Sequence, residues 1–225
     1  MAIGVFNRVG RRSAPALVNR GYGRAFFWDG RAATLEEQVL QPIQDPSEMD
    51  MTLPEVSARV GMPIEEVSRS LASFVRSLLS GDSPFDRFVS GARDALTPEQ
   101  QSGLQLFRGK ANCTACHVGP TFSDERFHNT GVAWQDSRML DQGRFGVTGK
   151  TEDRGAFKTP TLREISRTAP YMHDGSLATL TEVVDYYDRG GNTSPGLDAE
   201  LRPLRLTDLE KKALVSFLGS LNGSM

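Results

Sequence analysis

The sequence predicts a mainly α-helical protein with long loops, on three observations. Apolar residues recur at spacings of three and four rather than two, as in Ile64, Val67, Leu71, Phe74, Val75 and Leu78. Helix-start signals precede such runs: Thr34 before Leu35, Pro63 before Ile64, Thr97-Pro98 with Gln100, and Thr207 with Glu210. The 22 Gly and 12 Pro fall largely between these runs, which makes elements short and connections long.

In chain order, the first thirty residues are Gly- and Arg-rich without a sustained period and read as loop. A short helix is predicted over 34–40, capped by Thr34. The clearest helix runs from Pro63 to about Leu79, with Ile64, Val67, Leu71, Phe74, Val75 and Leu78 on one face, and Ser80-Gly81-Asp82-Ser83-Pro84 ends it. A boundary near Gly91-Ala92-Arg93-Asp94 divides the chain into 1–93 and 94–225. The next helix opens with a Thr97/Gln100 capping box and carries Leu104 and Phe107 toward Gly109. Residues 118–178 read as loop with short turns. A helix is predicted from Leu180 to Tyr187, stopped by Gly190-Gly191. A last helix runs from Thr207 through Leu214, Phe217, Leu218 and Leu221 to Gly223.

Composition narrows the function classes. Lys+Arg of 26 against Asp+Glu of 28 leaves a net charge of -2, which argues against bulk attraction to nucleic acid or anionic lipid. The apolar stretches fall far short of the ~20 residues that a spanning helix needs. The start, Met1 to Phe6, lacks the basic and apolar regions of a signal peptide. Two cysteines are too few for a disulfide scaffold.

Both cysteines fall in one string, Cys113-Thr114-Ala115-Cys116-His117. C-x-x-C-H is the attachment signature of a c-type haem. Two thiols three residues apart can add to the two vinyl groups of one porphyrin, and the following histidine is placed to ligate the iron. Half of a zinc site is a competing reading, but only His128 and His173 remain as further ligands of that type. A thioredoxin-like redox pair would need a βαβ context that the pattern lacks. An incidental disulfide or a pair of free thiols is the third alternative. A six-coordinate haem needs a second axial ligand. His128, His173, Met139, Met172, Tyr171, Tyr186 and Tyr187 are all candidates that spacing does not separate.

Around this motif the chain resembles the bacterial di-haem cytochrome c peroxidase/MauG family. The resemblance rests on Ala14-Pro15-Ala16-Leu17, Phe27-Trp28-Asp29-Gly30-Arg31-Ala32 and Leu35-Glu36-Glu37-Gln38. It continues in Phe157-Lys158-Thr159-Pro160-Thr161-Leu162-Arg163 and Pro170-Tyr171-Met172-His173-Asp174-Gly175. It implies two cytochrome c-like α domains with a covalent haem c in each and a calcium ion between them. On this comparison 94–225 is a complete C-terminal haem domain, and 1–93 is part of the N-terminal, peroxidatic one. The C-terminal haem, held by Cys113, Cys116 and His117, would receive electrons from a small donor protein of cytochrome c or cupredoxin type. It would pass them to the other haem, where hydrogen peroxide is reduced. Trp28 matches the tryptophan between the haems, and Gln38 and Glu48 match the pair on the distal side of the peroxidatic haem. A carboxylate beside peroxide can move its proton between the two oxygens, so that one leaves as water.

The same resemblance places Tyr187 at the distal position of the C-terminal haem, where ordinary peroxidases hold methionine and the MauG branch holds tyrosine. It places main-chain oxygens of Thr168 and Pro170 on the calcium, an oxygen-seeking cation. Ser13 stands where the family's third calcium ligand is an asparagine. Two haems need four cysteines and this chain has two, so the expectation is an N-terminally incomplete family member. The alternative is a mono-haem electron carrier without peroxidase activity. Periplasmic localisation follows from where such haems are attached, and a homodimer is an expectation from analogy alone.

Overall fold

The computed structural model describes residues 2–224. Helices dominate: α1 (Leu35–Gln38), α2 (Gln41–Gln44), α3 (Leu53–Val60), α4 (Ile64–Ser77), α5 (Pro84–Val89), α6 (Pro98–Arg108), α7 (Phe145–Thr148), α8 (Leu180–Asp188) and α9 (Asp208–Gly219). Among the described residues, strands form only two short antiparallel pairs. β1 (Phe127–His128) lies on β4 (Phe157–Lys158), and β2 (Trp134–Gln135) lies on β3 (Arg138–Met139).

Reciprocal caps start the expected helices other than α4, which opens on Pro63. The side chains of Thr34, Thr97 and Thr207 accept from the backbone N–H three residues on, while Glu37, Gln100 and Glu210 accept from the cap residue's own N–H. The same device starts the expected α8, at Thr179/Glu182, and two further helices, at Thr52/Glu55 and Ser83/Asp86. The sequence analysis places no helix at α3 or α5. Their signal was present in Thr-x-x-Glu and Ser-x-x-Asp, each followed by proline in the first turn.

Two apolar clusters organise the chain. The larger joins α6, α8 and α9 through Leu96, Leu104, Phe107, Phe122, Leu162, Val184, Leu214, Phe217, Leu218 and Leu221. Phe85, Phe107, Phe122 and Phe217 meet there at centroid separations of 5.0–6.4 Å, mostly edge to face. α6 crosses α9 closely because Gly103 has no side chain: a methyl there would overlap the Ala213 carbonyl and press on Phe217. The smaller cluster comprises Phe26, Ala32, Leu35, Val39, Ala72 and Val75, which joins α1 to α4. Phe85 and Phe88 of α5, although they precede residue 93, pack on the larger cluster.

One packing expectation is corrected. The face of α4 that meets α1 is made of Ser68, Ala72 and Val75, and the Ser68 hydroxyl donates to the Glu36 carbonyl at 2.8 Å. Leu71 and Phe74 are instead 38% and 59% exposed. Small residues let the two helices approach, and the bulkier stripe one position round the helix is left uncovered.

The two halves are tied by arginine–carboxylate pairs. Arg12 binds Asp141 through two bonds of 2.7 Å and Asp29 at 2.6 Å. Arg20 binds Glu125 at 2.7 and 3.2 Å. Arg163 binds both oxygens of Asp86 at 2.8 and 2.7 Å. Such forked geometry fixes orientation as well as contributing energy.

Candidate haem site

α6 delivers the chain to Gly109, and a tight turn follows, with Asn112 in the left-handed region at φ 51°. Residues 113–115 then form a single 3-10 turn that brings Cys113, Cys116 and His117 to one wall of a cavity of about 270 Å³. Phe107, Leu162, Val184, Leu214 and Leu218 supply apolar walls, and Tyr187 on α8 is also in the lining.

The residues fit the haem that the motif implies. Both cysteines are free thiols, not a disulfide. The His117 ring is held by a 2.8 Å hydrogen bond from Nδ1 to the Phe122 carbonyl, which leaves Nε2 as the nitrogen available to a metal. Burial holds His117 below its ordinary pKa, so the ring is the neutral imidazole that ligation requires. Burial likewise pushes the Cys113 thiol up to about 12. A largely apolar pocket with a neutral, oriented imidazole beside two free thiols suits a porphyrin.

Geometry narrows the candidate axial ligands. His128 has both ring nitrogens engaged, Nδ1 with Asp198 at 2.5 Å and Nε2 with Asp124 at 2.9 Å. His173 is buried, with its ring stacked on Phe157 at a centroid distance of 3.7 Å. The Tyr171 hydroxyl donates to the Ile165 carbonyl, and the Tyr186 hydroxyl to the Thr130 carbonyl. Met139 lies on β3, outside the cavity lining. Met172 and Tyr187 remain, both lining the cavity. Burial pushes the Tyr187 phenol well above its ordinary pKa, and the charges of Tyr186, Cys116 and Cys113 act in the same direction. The tyrosine therefore shares its cavity with both thiols.

Of the other expected residues, Trp28, Thr168 and Pro170 line the same cavity. The Trp28 indole N–H donates to the Ser13 carbonyl at 2.7 Å, and the Trp28 carbonyl accepts from Lys158 at 2.8 Å. Gln38 lies on a separate, smaller hollow with Pro15, Ala16, Phe27 and Leu35. Glu48 lines neither. Burial, then the neighbouring Asp45, raises its carboxyl above the ordinary value.

The sequence reading passed over one polar group here. Cys116, Asp124 and His128 bring their ligand atoms within 4.8 Å of one another. His128 is pushed up to about 10, with Cys116 as the largest contributor and Asp198 and Asp124 following burial. With the cysteine committed to a haem, the remaining His128–Asp124–Asp198 triad closes on itself, one cation between two carboxylates. Three intervening residues separate His128 from Asp124 and 69 separate it from Asp198, so no local pattern could have joined all three.

The family model described as di-haem cytochrome c peroxidase matches residues 1–63. The methylamine utilization protein MauG of Methylorubrum extorquens is 39% identical over 228 residues, covering 93% of this chain and 64% of that protein. The cytochrome-c peroxidase IdrP2 of Denitromonas iodatirespirans is 35% identical over 255 residues, covering 94% of this chain and 68% of that protein. Among solved structures, a MauG-like protein associated with microbial copper homeostasis superposes with a TM-score of 0.89 at 32% identity, over 99% of this chain and 77% of that one. The chain thus spans about two thirds of the length of the two relatives matched by sequence and about three quarters of the solved structure. With a fold shared across nearly all of its residues and a cavity shaped by a haem-attachment motif, the chain belongs to the di-haem cytochrome c peroxidase/MauG family of haem oxidoreductases.

Proposed function

We propose that this chain is the electron-handling part of a periplasmic, peroxide-reducing enzyme, with one covalent haem c at Cys113, Cys116 and His117. The observation that carries the reading is the shared cavity: the motif, Tyr187 and Trp28 all face it. A bound haem supplies a one-electron iron couple. His117 would hold it, oriented by the Phe122 carbonyl. Tyr187 is proposed as the second protein ligand that would hold it, since it lines the cavity and its hydroxyl has no side-chain or backbone partner among the described residues. Trp28 is the group proposed to lead electrons onward, hydrogen-bonded at the Ser13 carbonyl and joined through its own carbonyl to Lys158.

Peroxide reduction is proposed at a second haem beside Gln38 and Glu48. Glu48 is the proton carrier in this reading, and its raised carboxyl pKa is favourable to that task. The electron donor is proposed to be a small cytochrome c or cupredoxin. Calcium is proposed at the carbonyls of Thr168 and Pro170, supported by their place on the cavity wall. Among the described residues no helix is long and apolar enough to cross a membrane.

The test is spectroelectrochemical titration and a peroxide assay on the haem-loaded chain. Reduction in a single step with little peroxide turnover is expected. Joining a segment that carries a second C-x-x-C-H should produce turnover that Glu48→Gln suppresses. Glu48-dependent turnover by the 225-residue chain alone would mean that the haem at His117 is itself the peroxide site. A mono-haem electron carrier is the second reading, favoured by both cysteines lying in one motif. Under that reading the joined segment would confer no turnover.

A further inference from the structure

Lys158 is a charged group that none of the roles above uses, and its placement is unusual. It ends β4, where its backbone pairs with Phe127 and its N–H donates to the Trp28 carbonyl. Its side chain is 8% exposed and lines the haem cavity. The ammonium makes one hydrogen bond, to the Thr159 carbonyl at 3.1 Å, although it carries three donors. The nearest carboxylate, Glu125, stands 3.6 Å away, beyond a good hydrogen bond.

Glu125 is in any case committed. Arg20, also in the cavity lining, takes both of its oxygens at 2.7 and 3.2 Å. Two cations therefore share one carboxylate. Asp124 lies nearby, but it is hydrogen-bonded to His128, which also binds Asp198. A buried ammonium with donors to spare is costly unless an anion faces it. The strain shows in the ammonium itself, which burial and the charge of Arg20 push down to about 8 despite Glu125.

We propose that Lys158, backed by Arg20, is the buried cation that receives a carboxylate of the haem, one of its propionates, and so holds the reduction potential of that haem up. The inference rests on the haem reading above. The chemistry follows from the charge count: the cavity has an apolar body and one under-paired cation, and a haem is an apolar plate with carboxylates at one edge. A positive charge beside a haem, or one that neutralises its propionate, favours the ferrous state. Lys158 is then a positioning residue and not a catalytic one.

Potentiometry of the haem-loaded chain tests this. Lys158→Met should lower the ferrous-to-ferric ratio at fixed ambient potential about tenfold, which is 59 mV for one electron. Lys158→Arg should stay close to the parent. A Lys158→Met potential equal to the parent's, or an equal fall in both variants, would overturn the proposal. Resonance Raman of the parent provides a second measurement that needs no variant. The propionate bending band should shift on exchange into deuterium oxide if the carboxylate is hydrogen-bonded, and an unmoved band would count against Lys158. If the parent chain takes up no covalent haem, it is the haem reading that has failed and not this assignment.

Discussion

The His117 ring is fixed by a backbone carbonyl rather than by a carboxylate. A neutral acceptor such as the Phe122 oxygen adds less electron density to the ring than Asp or Glu would. The distal ligand therefore has the greater influence on the potential. Tyr187 and Met172 are the candidates left after the hydrogen bonds of Tyr171, Tyr186 and His128, the stacking of His173 on Phe157 and the place of Met139 on β3 are counted. If Tyr187 ligates, Tyr187→Phe removes an anionic donor. The visible spectrum should change and the potential should rise by at least about 60 mV, a tenfold change in the ratio. Met172→Leu should leave both as they are. Loss of a sulfur-to-iron charge-transfer band in Met172→Leu would reverse the assignment.

Between elements, the closest approach is α6 on α9 at Gly103. Gly103→Ala places a methyl against the Ala213 carbonyl, where backbone cannot give way cheaply. The cost expected is about 3 kcal/mol, at the upper end for overpacking, and chemical denaturation would read it. A melt like that of the parent would mean that the helices can part without penalty. A second inter-element tie has a pH signature. Burial alone would raise the Asp86 carboxyl, but the hydrogen bonds from Arg163 and from Ser83 outweigh it, and the carboxyl sits below its ordinary value. The folded state then binds fewer protons there than the unfolded one. Its contribution is complete above the ordinary aspartate value of about 3.9 and is lost as pH falls through the lower folded value. Asp86→Asn should therefore destabilise at pH 7 and flatten the acid limb of the stability curve. Arg163→Gln should cost about 3 kcal/mol at neutral pH, since it strands a partly buried carboxylate. An unchanged acid limb in Asp86→Asn would assign that limb to other carboxylates.

For the whole molecule, stoichiometry is the plainest consequence. Both cysteines belong to one motif, so the chain should carry a single covalent haem. A pyridine haemochrome should titrate to one equivalent per chain, and acid-acetone extraction should leave that haem on the protein. Haem that extracts completely would exclude thioether attachment. The molecule is also uneven in its surface. Ile3, Phe6, Tyr22 and Phe74 are all more than half exposed, whereas the larger cluster closes fully around Phe217 and Leu221.

Local chemistry is what the sequence determined by itself. A capping box needs only residues three apart, so Thr34, Thr97 and Thr207 were legible as helix starts, and Thr52, Ser83 and Thr179 follow the same rule. The haem motif is equally local, with two thiols and an imidazole within five residues. The tertiary structure decided whatever depends on partners far apart in sequence. It decided that Ser68 and Ala72, not Leu71 and Phe74, meet α1, because the choice of buried face belongs to the neighbouring helix. It separated the candidate ligands by occupying the hydroxyls of Tyr171 and Tyr186 with carbonyls and both nitrogens of His128 with carboxylates. It also placed Lys158 beside Arg20 and Glu125, more than thirty residues away on either count. Hydrogen-bond saturation and charge balance are properties of a closed volume, and the chain has such volumes only once it is folded.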